Sequence, residues 1–258
     1  MRAVRWMKGI LPPLGVLAGF LLLWQAAVMF FGTKSWILPS PLAIFREGRA
    51  SYSRLFDNLE STLGITLLGF AIGSLVGVVV ACLLHAIPGM KAGFYPLLIM
   101  TQNIPTIVLA PLLVIWFGFG LLPKMILITL VCFFPVSVAL LGGFARTDAS
   151  MLDYFRMSGA SRAQQFFKLE FPHALPSLFS GLKISATYSV MGAVIAEWMG
   201  AEMGIGVLMM SAKATYRSDR MFVSIFAVII ASMLLFSLVA LAEKLIVRSS
   251  GSREEERR

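Results

Sequence analysis

The side chains able to do chemistry in this chain are few and widely spaced. Glu197 stands in VIAEWMG near the end of an apolar run, and Gln102 and Asn103 interrupt another. An acid at membrane depth has a functional role as its default reading. Trp198 beside it offers the alternative that the carboxylate reaches the interface. Gln102 and Asn103 have two readings, hydrogen bonding between helices or contact with a solute. Asp148 and Asp153 lie five residues apart, a poor match to one helical face, so they do not read as a catalytic acid–base pair. With two histidines, His85 and His173, the chain lacks the ligand clusters of a metal hydrolase. Cys82 and Cys132 each sit in an apolar run and read as two buried structural thiols. No G-x-x-x-x-G-K-[ST] phosphate loop is present, so nucleotide cannot be cradled in the usual way.

The elements that must position these residues are membrane spans. The 258 residues are 58% hydrophobic and 14% charged, with a mean hydropathy of +0.84. Soluble domains carry about a quarter charged residues, so composition alone indicates an all-α polytopic membrane protein. Six runs reach the roughly 20 apolar residues that a spanning helix needs. They are 10–31, 60–85, 92–117, 122–145, 174–199 and 221–247, in one transmembrane domain over 1–258. The first follows Arg2, Arg5 and Lys8 and is longer than a signal peptide's apolar core, so it reads as an uncleaved anchor.

Most of the 22 basic residues fall on the N-terminal segment, the loops on its side of the bilayer and a charged tail at 248–258. That bias predicts a cell-membrane protein with both termini in the cytoplasm. It also accounts for the net charge of +9 without nucleic acid. Ser40 and Pro41 read as an N-cap and first helical residue. Leu42, Phe45, Tyr52 and Phe56 then share a face, which suits a helix lying at the outer interface, the alternative being a solvated loop. Gly69, Gly73 and Gly77 form a repeated G-x-x-x-G ladder, read as close packing within the chain rather than a dimer seam. Pro105, Pro111 and Pro135 interrupt neighbouring spans. The carbonyls they free are tolerable at membrane depth beside protein or a water-lined cavity.

One cytoplasmic loop, about 146–173, is far longer than the others. Ser150 with Asp153 and Ser161 with Gln164 read as capping signals for two short helices, joined at Gly159 and Ala160, where a bend costs little. Leu152 and Phe155 share a face of the first helix, and Ala163, Phe166 and Phe167 a face of the second. Arg156, Arg162, Gln165 and Lys168 fall on the other faces. Pro172 and Pro176 are expected to stop the second helix and start the fifth span. By its residues alone, such an amphipathic pair could lie on the bilayer or insert into a groove on another protein.

The loop resembles the EAA motif of permease subunits of bacterial ABC importers: Glu-Ala-Ala, three residues, Gly, nine residues, then Ile-x-Leu-Pro. Here Asp153-Tyr154-Phe155 precedes Gly159 at that spacing, and Leu169-Glu170-Phe171-Pro172 follows it. Asp153 keeps the acid, whereas Tyr154 and Phe155 are much bulkier than two alanines. ILPSP (37–41), IPTIVLAPLLVIWFGFGLLPK (104–124) and VIAEWMGAEMGIG (194–206) resemble the nitrate/sulfonate/taurine branch of these permeases. LLPKMILITLVCFFPV (121–136) is most similar to permeases for pyrimidine precursors of thiamine.

The resemblance implies a type I importer permease that pairs with a second copy of itself and receives solute from an extracytoplasmic binding protein. Two separate ATPase subunits would bind the ATP and dock on the loop through Leu152, Asp153, Tyr154, Phe155, Gly159, Ala160, Ser161, Phe166, Leu169 and Pro172. The chain itself would be no enzyme and would hold no cofactor. Gln102, Asn103 and Glu197 are the expected pathway residues, and a hydroxymethylpyrimidine-like solute is the expected cargo. Sulfonate, taurine or nitrate is the alternative cargo. A secondary transporter would show internal repeats with paired broken helices, and no convincing halves are found.

Overall fold

In the computed structural model, the backbone is described for residues 2–255 and the side chains for 12, 13 and 15–247. Arg2, Arg5 and Lys8, and the charges of the expected tail 248–258, lie outside the described side chains. The described chain is helical throughout: α1 (Arg2–Phe30), α2 (Pro41–Ala50), α3 (Tyr52–Ala86), α4 (Met90–Gln102), α5 (Thr106–Phe117), α6 (Leu121–Phe144), α7 (Ala149–Met157), α8 (Arg162–Gln165), a π-helical turn (Phe166–Glu170), α9 (Phe171–Glu197), α10 (Ile205–Ala214) and α11 (Ser218–Glu255).

Four helical segments among the described residues are long and apolar enough to cross a membrane: Tyr52–Ala86, Leu121–Phe144, Arg162–Glu197 and Ser218–Val247. The expected third span differs. It is broken into α4 and α5, which meet at 96°, because Pro105 cannot continue a helix and Asn103 and Ile104 close the first half with short turn bonds. The described apolar part of α1 is the shorter stretch Gly15–Phe30.

The core is built around α6, which packs against α3 on one side and α9 on the other. Lipid supplies no hydrophobic drive between spans, so their association depends on close approach. The glycine ladder provides it. A Cβ at Gly73 would stand 2.5 Å from Cys132 Cβ, and one at Gly77 would stand 2.7 Å from the Phe133 carbonyl oxygen. The ladder therefore packs α3 on α6 within one chain, as its spacing suggested. Ser137 Oγ donates to the Gly77 carbonyl (3.0 Å) and Ser185 Oγ to that of Cys132 (2.9 Å), tying α6 to both neighbours. Cys82 and Cys132 are free thiols, Cys132 fully buried.

Two ends of this bundle matter. At one, the π turn meets the C-terminal end of α3, with α7 and α8 leading into it; at the other, α2 and α10 pack around the N-terminal ends of α3 and α11. Ser40 caps α2 and Pro41 opens it, as expected. The helix ends at Ala50, however, so Tyr52 and Phe56 belong to α3. Leu42, Phe45, Tyr52 and Phe56 all remain exposed. Glu47 is not a solvated charge: its carboxylate accepts from Arg217 Nη2 (2.7 Å) and Arg220 Nε (2.9 Å), clamping α2 to the start of α11.

Candidate translocation site and coupling loop

The long loop folds as a rigid elbow. Asp148, rather than Ser150, caps α7 by accepting from the Ser150 N–H (2.8 Å). Asp153 instead accepts from Arg156 Nη1 (3.0 Å) on its own helix. The helix ends in a Schellman motif: Ala160 N–H donates to the Phe155 carbonyl and Gly159 N–H to that of Arg156. This geometry puts Gly159 at φ +74°, a region that L side chains rarely occupy, and it gives the motif's glycine a physical reason. Ser161 and Gln164 then form a reciprocal capping box on α8.

Two expectations about the second helix are corrected. Gln165 is not on an exposed polar face; it is buried and donates to the Ala160 carbonyl (2.9 Å), bracing the elbow. Pro172 and Pro176 do not stop the helix. Arg162–Glu197 runs as one continuous segment, because the backbone widens before Pro172. Phe171 N–H reaches back five residues to the Phe166 carbonyl, a wide turn that accommodates the proline's missing N–H and its ring. The loop is thus a stiff extension of α9.

The apolar faces also differ from expectation. Leu152 and Phe155 are half-buried. Met151, Tyr154 and Met157, spaced three apart, form the bare stripe of α7, with Met157 81% exposed. On the second helix Phe166 turns inward against Phe144, Phe171 and His85, while Phe167 stands out at 69% exposed.

At mid-height of the bundle, the break between α4 and α5 borders a cavity of about 430 Å³. Thr101, Gln102 and Thr106 give it polar atoms, and Phe133, Phe134 and Tyr188 give it flat apolar walls. Pro135 and Val131 also line it, so the α6 proline lies beside a cavity. Gln102 lies on the cavity as expected. Asn103 does not line it: its Nδ2 donates to the Ile99 carbonyl (3.0 Å), capping the end of α4.

Glu197 is placed elsewhere. It is 2% exposed at the C-terminal end of α9 and does not line the cavity. Thr62 Oγ1 donates to its Oε1 (2.7 Å) and Gly206 N–H to its Oε2 (2.7 Å). Gly204 N–H donates to Asn58 Oδ1 (2.7 Å) and Ile205 N–H to Thr62 Oγ1 (2.8 Å). Three successive N–H groups at the start of α10 are therefore satisfied by side chains from α3 and α9. A carboxylate at a helix N-terminus is favoured by the helix dipole. The glycines of GIG follow from this contact. Gly204 sits at φ +132°, and a Cβ at Gly206 would lie 2.9 Å from Glu197 Cβ.

Nothing in the isolated residue types revealed the Glu197–Asn58–Thr62 staple; the readable signal was an acid seven residues before a Gly-x-Gly. Replacing Glu197 by alanine leaves the Gly206 N–H buried without an acceptor, at a cost of about 1–3 kcal/mol. The solubilised protein is expected to lose heat resistance and to become cleavable by protease between residues 199 and 205. An unchanged melting curve and cleavage pattern would count against the staple.

Comparison with known proteins places these features. The description "binding-protein-dependent transport system inner membrane component" matches residues 73–250. The formylaminopyrimidine transport permease ThiX of Halalkalibacterium halodurans is 31% identical over 228 residues, 88% of this chain and 91% of that protein. A Bacillus subtilis permease named for aliphatic sulfonates, SsuC, is 30% identical over 252 residues, 96% of this chain and 90% of that protein. Among solved structures, the methionine ABC transporter MetNI in an inward-facing conformation has a similar fold, with a TM-score of 0.63 at 21% identity. That likeness covers 78% of this chain and 97% of the matched one. The chain belongs to the inner-membrane permease components of binding-protein-dependent ABC transporters.

Proposed function

We propose that this permease carries a small planar heteroaromatic solute, a pyrimidine precursor of thiamine, handed over by a binding protein. The pathway is formed with a second copy of the chain, both termini face the cytoplasm, and ATPase subunits dock on the loop 146–173. One observation carries the choice of solute: the lining of the cavity beside α4 and α5. A sulfonate or nitrate is anionic and calls for a cationic partner, yet no Lys, Arg or His is among the lining residues. Phe133, Phe134 and Tyr188 offer faces on which a pyrimidine ring can stack, and Gln102 and the threonines offer the donors and acceptors that an aminopyrimidine edge requires. The similarity to a permease named for formylaminopyrimidine supports the same choice.

The bare stripe Met151–Tyr154–Met157, with Phe167 exposed on the second helix, supports docking. It is an apolar face on a charged loop, suited to insertion into another protein's groove.

The test is uptake by vesicles holding the permease, its ATPase and its binding protein. Radiolabelled aminohydroxymethylpyrimidine should be accumulated on ATP, with taurine not competing. Gln102→Leu should reduce that uptake about tenfold, the equivalent of one hydrogen bond, while ATPase recovery stays normal. Accumulation of taurine or another sulfonate without pyrimidine would overturn the assignment and favour the SsuC-like reading.

A further inference from the structure

His85 lies at the C-terminal end of α3 and does not line the cavity. It is neither free nor simply packed. Its Nε2–H donates to Glu170 Oε2 at 3.0 Å, with both side chains about one-fifth exposed. Its ring stacks on Phe144, the last residue of α6, with centroids 4.4 Å apart and planes 24° from parallel. Phe166 adjoins this pair, its ring 6.2 Å from that of His85 and 5.6 Å from that of Phe144, and it also contacts Phe171. Glu170 and Phe166 are the two ends of the π-helical turn that joins the loop to α9. One histidine thus touches α3, α6 and the turn through which the loop becomes a span. π-helical turns recur at functional positions in helices.

We infer that the His85–Glu170 pair is the positioning joint that makes α3 and α6 move with the docked loop. The inference rests on the reading that ATPases dock on 146–173. The mechanics follow from the contacts. Because Arg162–Glu197 is one continuous helix, a push on the loop tilts α9 as a lever. At this end α3 otherwise meets α9 through one apolar cluster, Ala81 and Leu84 with Ala174 and Leu178, and such contacts have little directional preference. The His85–Glu170 hydrogen bond is directional and half-shielded from water. It fixes α3 to the lever where the lever arm begins, while α6, already tied to α9 by the Ser185 bond, stacks Phe144 on the joint. The glycine ladder couples α3 to α6 along their seam, and α6 carries Val131, Phe133, Phe134 and Pro135 of the cavity wall.

The experiment compares wild type with His85→Ala, Glu170→Gln and the exchanged pair His85→Glu/Glu170→Arg, in proteoliposomes with ATPase and binding protein. Permease abundance, ATPase co-purification, ATP hydrolysis and pyrimidine uptake are measured together. Both single variants should retain the ATPase and hydrolyse ATP. Their uptake per ATP should fall about tenfold, in the range that substitutions along coupling chains produce. The exchanged pair should recover most of the ratio, which a side chain needed only for filling space would not do. Unchanged uptake per ATP in the single variants, or no recovery in the exchanged pair, would overturn the joint. ATPase lost equally from the single variants and the exchanged pair would place the pair in the docking surface and overturn it as well. The docking reading fails separately, if the ATPase stays bound when Tyr154 and Met157 are both replaced by aspartate.

Discussion

Gly77→Leu is expected to abolish accumulation of folded permease in membranes, whereas Gly64→Leu on the same helix leaves it unchanged. At Gly77, a Cβ alone would lie 2.7 Å from the Phe133 carbonyl oxygen and 2.8 Å from Val136 Cβ. The nearest obstacle is backbone, which cannot rotate away as a side-chain end can. Relief requires α3 and α6 to separate along the seam that Gly69, Gly73 and Gly77 hold closed, and the Ser137 bond to the Gly77 carbonyl goes with it. Overpacking of this kind costs about 3 kcal/mol or more when backbone must shift. Gly64 has nothing within 4 Å of its Cβ position and faces outward. Size-exclusion profiles of fluorescently tagged permease extracted from membranes would check both. Equal loss at Gly64 and Gly77 would attribute the effect to leucine in a span rather than to the seam.

The G-x-x-x-G ladder was legible in the sequence because close approach has a compositional requirement that glycine satisfies and larger residues do not. The Ser161–Gln164 box and the Gly159 joint were legible for a similar reason: local hydrogen bonds need particular residues at fixed spacing. What depended on distant partners was not readable. Asp148 displaced Ser150 as the α7 cap, since either polar residue satisfies the local pattern and only the entry path of the chain selects one. Glu197 reads as an exposed or pathway acid until Asn58 and Thr62, more than 130 residues away in the chain, are brought beside it by the α3–α9 packing. The continuous helix through Pro172 was hidden because one wide turn removes the usual penalty of proline. Among the pathway candidates, Gln102 reached the cavity and Asn103 was taken by its own helix. The two neighbours look alike in the sequence and point in different directions on α4.

Tyr154→Asp combined with Met157→Asp is expected to release the ATPase from the permease without disturbing the spans. These two side chains form most of the bare stripe on α7, at 62% and 81% exposure, so the folded permease by itself loses little when they become polar. Seated in an apolar groove of a partner, each aspartate would be desolvated without a counter-ion, at a cost of several kcal/mol unless it protonates or rearranges. Since about 1.4 kcal/mol corresponds to a tenfold change in affinity, recovery of ATPase should fall by orders of magnitude. Phe155→Asp separates this docking role from the internal packing of α7. Phe155 is half-buried, so an aspartate there loses apolar packing beside the Schellman turn and should loosen the elbow and raise proteolysis near Gly159. The measurement is co-purification of ATPase with each permease variant from membranes holding equal amounts of both proteins, alongside limited proteolysis of the permease alone. Undiminished ATPase recovery with the Tyr154/Met157 double variant, and ATP-driven uptake preserved, would show that the exposed stripe is not where the motor attaches.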